Sequence, residues 1–209
     1  MKYLILLVSF TTFFTFAQDN KSQAILTKLS TKIKGLSSFY IEFNAVVTQP
    51  NGKSESEIGK GWVKGNKFSA AYGDLTILSN GLKQWTIVKE DKSVYESDAS
   101  KSQDLINPKK LMTIWENDFK NAFEKEETVD GVVTSKIKLI PNNPKKTEYH
   151  TIYVFITKAT NELKKGIVKM KNGTTMTYTL TKFTENPTVD DANFVYNPKK
   201  YPGYELVKD

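Results

Sequence analysis

The sequence contains no cysteine, no arginine and a single histidine, His150, in 209 residues. Without cysteine there is no disulfide framework, no thiolate metal site, no cysteine nucleophile and no N-terminal cysteine for lipid attachment. Without arginine the planar fork used for bidentate phosphate or guanine recognition is missing, which argues against sequence-specific nucleic-acid binding. One histidine excludes a histidine-rich zinc site, and His150 falls in a strand pattern, where a structural or exposed role is expected. The enzyme signatures are also missing. No Gly-x-Ser-x-Gly elbow occurs, and Gly59-Lys60-Gly61 lacks the third glycine of a dinucleotide fingerprint. No Walker-type loop is present either. Ser135-Lys136-Ile137-Lys138 matches Ser-x-x-Lys only by letters, because it lies in an alternating strand with no Lys-Thr-Gly elsewhere. Asp190-Asp191 near Pro187 reads as a turn, and Asn172-Gly173-Thr174 as a hairpin rather than a glycosylation signal. No catalytic residue, metal ligand or cofactor is assigned, and the chain reads as a non-enzyme.

What is present begins with a leader. Lys2 supplies a positive start, Leu4 to Phe16 an apolar run, and Thr15-Phe16-Ala17 a small-residue cleavage site, the pattern of a secretory signal peptide over residues 1–17. The apolar run is too short to span a bilayer, and no later stretch of ~18 apolar residues occurs. The expectation is an exported, soluble protein of the bacterial periplasm that starts at Gln18 and forms one domain over 18–209. Cleavage removes only Lys2 among the charged residues and so lowers the formal +7 by one. Lysine spread evenly along a chain reads as solvated surface.

After the leader the pattern is one helix followed by many strands. Ile25, Leu29, Ile33 and Leu36 recur at helical spacing behind the capping candidates Asp19, Asn20 and Ser22, predicting an amphipathic helix over Ala24 to Leu36. Phe39, Ile41, Phe43, Ala45 and Val47 then alternate with Tyr40, Glu42 and Asn44, the period of a strand. Asn51-Gly52, Asn80-Gly81, Asp130-Gly131 and Asn172-Gly173 supply the positive φ that tight hairpins need, so the strands should form an antiparallel meander. Strands are predicted over 55–64, 67–72, 75–79, 83–89, 93–96, 134–140, 149–157, 163–170 and 175–183. A second helix is predicted from Asn107 and Pro108, with Leu111, Ile114, Trp115 and Phe119 on one face. Residues 119–127 fit either period.

So little helix cannot bury both faces of so long a sheet. Curling the sheet into an unclosed barrel is the physical solution, and the mouth of such a barrel suits an apolar ligand. The fold class expected is therefore α+β and mostly β: a strongly curved antiparallel sheet covered by a few helices forming a lid. Trp62, Trp85 and Trp115 would line that space or pack as core.

Several segments, in order, carry a family resemblance. They are the Ala24–Leu36 helix running into Ser38-Phe39-Tyr40-Ile41-Glu42-Phe43; Gly59-Lys60-Gly61-Trp62-Val63-Lys64 through Phe68; Leu78-Ser79-Asn80-Gly81 with Trp85; Lys138-Leu139-Ile140-Pro141; and Asp190-Asp191-Ala192-Asn193-Phe194 to Gly203-Tyr204-Glu205-Leu206-Val207. In this the chain resembles the LolA family of periplasmic carriers of outer-membrane lipoproteins. The resemblance implies an unclosed β-barrel with a helical lid and a hydrophobic cavity that receives the acyl chains of lipoproteins. It also implies loading by an inner-membrane lipoprotein-releasing ATPase complex and unloading to an outer-membrane acceptor; the protein is expected to be a monomer and, lacking arginine, to bind no nucleic acid. By family position and alternation, the acyl-cavity and lid residues are Phe43, Trp62, Phe68, Trp85, Ile87, Leu111, Ile114 and Trp115. One departure stands out. Where the family commonly carries an arginine that latches the lid, this chain has Gly65-Asn66. The same architecture also serves binding or sensor modules for other lipids and glycolipids.

Overall fold

The computed structural model describes residues 14–101, 112–116 and 118–208. One α-helix, α1 (Phe14–Gly35), precedes β1 (Ser38–Thr48), β2 (Ser54–Lys64), β3 (Lys67–Tyr72), β4 (Leu75–Ser79), β5 (Lys83–Val88) and β6 (Ser93–Asp98). After a short 3-10 turn at Ile114–Glu116 come β7 (Phe119–Val129), β8 (Val132–Pro141), β9 (Tyr149–Thr157), β10 (Leu163–Met170), β11 (Thr175–Glu185) and β12 (Glu205–Lys208). The twelve strands form one open sheet in the order β12-β6-β5-β4-β3-β2-β1-β11-β10-β9-β8-β7. All neighbours are antiparallel except β12, which runs parallel to β6. This is the unclosed barrel with a helical cover that the pattern required.

All four Asx-Gly pairs join sequential antiparallel strands, and their glycines adopt positive φ, from 77° at Gly131 to 90° at Gly81. Only Asp130-Gly131 is the two-residue turn, with Asp130 itself at φ 47°. Bulges interrupt the ladders at Glu42/Phe43, Phe123/Lys125 and Leu163/Lys165. Each adds a residue on one strand, and that extra length bends and twists the sheet.

Two expectations are corrected, and one strand is added. Helix α1 starts at Phe14, ten residues ahead of Ala24, so Asp19, Asn20 and Ser22 lie inside it rather than capping it. Ser22 is fully buried and donates to Asn121 Oδ1 at 2.6 Å, a tertiary bond in place of a cap. The second helix is reduced, in its described part, to the 3-10 turn. Asp118 at φ 59° breaks the chain direction and Phe119 opens β7, while Asn107, Pro108 and Leu111 lie outside the described residues. Strand β12 had no alternating signal and exists because β6 offers it an edge.

Two apolar clusters hold the sheet, one on each face. Leu26, Leu29 and Ile33 of α1, each at most 1% exposed, pack with Phe39, Ile41, Val63, Phe68, Ile77, Ile137, Leu139, Ile152, Val154 and Ile156 on the concave face. Burying each such side chain stabilises the fold by about 1.5–3 kcal/mol. On the other face Leu78, Trp85, Ile87 and Val94 pack against Tyr196, Tyr201 and Tyr204 of the C-terminal segment. That segment is tied back at Asp191, whose carboxylate meets Lys64 at 2.8 Å and Lys67 at 2.5 Å. Hydrogen bonds from the two lysines hold the Asp191 carboxyl down at about 2.

A folded pKa below the unfolded one, about 3.9, contributes stability that is complete above the unfolded value and disappears as pH falls through the folded value. The urea midpoint of the native protein should therefore exceed that of Asp191→Asn at pH 5, with the gap closing as pH falls from about 4 to about 2. A gap that persists at pH 2 would sever the clamp from this ion pair.

Candidate functional site

Strand parity decides which side chains can meet a ligand, because successive residues face opposite sides of the sheet. One cross-strand row reads Phe39, Val63, Phe68, Ser79, Gln84, Ser97, from β1 through β6. The next row reads Tyr40, Trp62, Ser69, Leu78, Trp85, Glu96. The first row contributes to the helix-covered concave cluster and the second to the cluster under the C-terminal segment.

Of the residues expected at a cavity, the sheet therefore brings together Phe43, Phe68, Ile114 and Trp115 on the concave side. It does not bring Trp62, Trp85 or Ile87 to them. Trp62 lies against Tyr40, ring centroids 4.4 Å apart, and Trp85 donates from Nε1 to Glu96 Oε2 at 2.9 Å on the convex face. Ile87 is fully buried beside Trp85. Leu111 lies outside the described residues.

The concave face divides into a covered and an open part. In the covered part, Trp115 is buried and donates from Nε1 to Ser30 Oγ at 2.8 Å, and Met112 is 3% exposed in the same cluster. Glu116 pairs with Lys34 at 2.7 Å, so segment 112–116 is pinned along α1. A pocket of about 250 Å³ lies between them, lined by Gln23, Leu26, Ser30, Lys34, Trp115 and Glu116. The helix is anchored at both ends. Lys21 sits 3.6 Å over the Phe123 ring, and Lys32 bridges Glu162 and Glu185 at 2.8 and 2.6 Å. Asn66, at the family's arginine position, packs against Gly81 of the β4–β5 turn, with a Cβ built at Gly81 only 3.5 Å from its own.

The open part is the end of the sheet away from α1. There Phe43 is half-buried, stacked on Tyr72 at 6.3 Å and edge-on to Tyr178 at 6.1 Å. Gly59 permits this floor, since any Cβ there would meet the Phe43 ring at 2.1 Å. Gly166, opposite Tyr178, leaves a second gap with nothing within 4 Å of a built Cβ. Burial pushes the Tyr178 hydroxyl up to about 12, and its contact is Met176 Sδ at 3.9 Å. These groups offer an apolar, aromatic surface with two hydroxyl tips. Tyr72 and Tyr178 were not among the expected residues, although the spacings Phe68-Ala70-Tyr72 and Met176-Tyr178-Leu180 carry the parity that would have found them.

His150 bonds only its neighbour Thr151, through Nδ1 to Oγ1 at 2.9 Å, and no group of three His, Asp or Glu side chains converges among the described residues. Among the described residues no helix is long and apolar enough to cross a membrane.

Comparison with known proteins agrees with this fold. The family model described as outer membrane lipoprotein carrier protein LolA matches residues 13–174. No curated protein matches the chain. Among solved structures, an uncharacterized conserved protein from Thermus thermophilus is similar with TM-score 0.62 and 10% identity, over 90% of this chain and 98% of that one. LprF from Mycobacterium bovis is similar at TM-score 0.51 and 15% identity, over 83% and 96%. A DUF1329 family protein from Desulfovibrio piger is similar at TM-score 0.50 and 14% identity, over 86% and 98%. At these identities the likeness is one of fold.

The two-face division makes a direct prediction. Ile87→Ala should cost about 2–4 kcal/mol of unfolding free energy, since it empties a fully buried site, yet leave binding of apolar ligands at the native level. Urea denaturation and dye titration below the unfolding transition check the two halves, and a parallel loss of dye affinity would place Ile87 at the site.

Proposed function

The chain belongs to the outer membrane lipoprotein carrier family, and on that premise we propose that it is a periplasmic carrier holding the acyl chains of lipoproteins against its concave face. The observation that carries this reading is the half-buried aromatic floor of Phe43, Tyr72 and Tyr178, continuous with the apolar cluster under α1. An acyl chain gains about 0.8 kcal/mol for each methylene removed from water. A soluble carrier must therefore offer apolar surface comparable to the membrane it relieves, yet release the chain again. A partly open floor and a pinned but shallow helical cover answer both demands. Phe43 and Phe68 are the proposed acyl contacts from the sheet, Ile114 and Trp115 those from the cover, with Tyr72 and Tyr178 added.

Residues 1–17 are proposed as a cleaved signal peptide and 18–209 as a single carrier domain acting in transport between the two membranes. Handover partners are proposed by family likeness: an inner-membrane ATPase complex that loads the carrier and an outer-membrane acceptor that empties it. The role is binding, not catalysis. Asn66 cannot replace an arginine's forked, charged hydrogen bonds, so the cover rests on Trp115–Ser30 and Glu116–Lys34.

The test is displacement of a hydrophobic dye from the purified protein by a triacylated lipopeptide, with phospholipid and free fatty acid as competitors. Preference for the lipopeptide supports the carrier reading, equal displacement by phospholipid assigns the protein to carriers or sensors of other lipids, and absence of dye binding overturns acyl binding. Phe43→Asp should weaken lipopeptide affinity by about tenfold or more, the ring's burial being worth about 1.5–3 kcal/mol, whereas Trp62→Ala on the opposite face should not.

A further inference from the structure

The concave row that starts at Phe39, Val63 and Phe68 does not stay apolar. It continues across β4, β5 and β6 as Ser79, Gln84 and Ser97. Ser79 is 2% exposed and Gln84 6% exposed, so these two are enclosed with the apolar stretch, while Ser97 at the end is half-buried. Ser79 Oγ accepts from the Gly81 backbone N–H at 3.3 Å. The Gln84 carbonyl oxygen, Oε1, has no hydrogen-bond partner, and it is the one buried side-chain polar atom so placed among the described residues. Leaving a buried carbonyl unpaired costs roughly 1–3 kcal/mol, and a leucine or methionine in its place would avoid that cost. An orphaned acceptor at the end of an apolar row is the complement of a molecule in which a hydrogen-bond donor adjoins a hydrocarbon chain.

We propose that Gln84 is a specificity-determining residue of the acyl site, its carbonyl accepting a hydrogen bond from an N–H or O–H group carried beside the acyl chain of the cargo. The inference rests on the acyl-binding reading above and narrows it. It selects ligands whose chain is joined through an amide N–H, or lies next to a glycerol hydroxyl, over chains that lack a donor. The chain packs along Phe68 and Val63 while the donor meets Gln84 two strands away. Ser79 and Ser97 flank Gln84 on the same row and add hydroxyls to the polar end.

Two ligand pairs test this by competition against a bound hydrophobic dye. The first is an N-palmitoyl dipeptide and the same compound methylated at the amide nitrogen. The second is monopalmitoylglycerol and its dimethyl ether. The native protein should prefer the donor-bearing member of at least one pair by about three- to tenfold, the worth of one net hydrogen bond. Preference within the first pair assigns the donor to an amide, and preference within the second to a hydroxyl. Gln84→Met keeps the side-chain length and removes the acceptor. It should erase the preference, keep the affinity for the blocked ligands, and unfold at an equal or higher urea midpoint, a combination that a purely structural glutamine would not give. Equal affinities within both pairs for the native protein would overturn the proposal while dye binding upheld the acyl site. Failure of the dye and every acyl ligand to bind would overturn both.

Discussion

A twelve-stranded sheet that never closes has two faces to cover, and the described chain has one long helix with which to do it. The fold answers by curving. Bulges at three strand pairs bend the sheet around α1, so that three helix residues, Leu26, Leu29 and Ile33, reach side chains from strands far apart in the order. Over β4 to β6 the other face is covered by the C-terminal segment, whose three tyrosines seal Trp85 and Ile87 and whose Asp191 is gripped by two lysines.

That division shapes the candidate functional site. The outer cluster is closed by aromatic stacking of Tyr196, Tyr201 and Tyr204 and has the character of structural core. The inner cluster is closed only where α1 and segment 112–116 lie over it. Those elements are held by the burial of Leu26, Leu29, Ile33, Met112 and Trp115 in the inner cluster and by polar contacts, Trp115 to Ser30, Glu116 to Lys34 and Lys32 to two glutamates. The lysine–glutamate pairs are partly exposed and contribute little apiece.

The absence of arginine runs through the whole arrangement. Every cation that clamps a segment is a lysine, a point charge on a flexible stem rather than a fixed fork. Lysine also covers aromatic surface, as where Lys136 stands 4.4 Å over Tyr153 and Lys165 5.4 Å over Phe155 on the convex side. The fold thus uses its many lysines to tie segments and to shield rings.

Local physics makes much of this legible in the chain itself. An Asx-Gly pair announces positive φ whatever surrounds it, so the four hairpins are readable, as are β3, β4, β9 and β10 to the residue. The apolar face of α1 is readable from its period, and the need for curvature from the shortage of helix. The start of α1 is not, because Ser22 serves a distant Asn121 instead of its own backbone. Nor is the fate of Phe119, which fits both periods until Asp118 turns the chain. The sequence by itself determined that alternate residues part company across a sheet. Only the tertiary structure decided which parity is concave, since Trp62 and Val63 are both apolar neighbours on one strand, and their fates differ through what folds back from residues 26–33 and 196–204. That choice rests on contacts between segments far apart in the chain, and no local pattern encodes it.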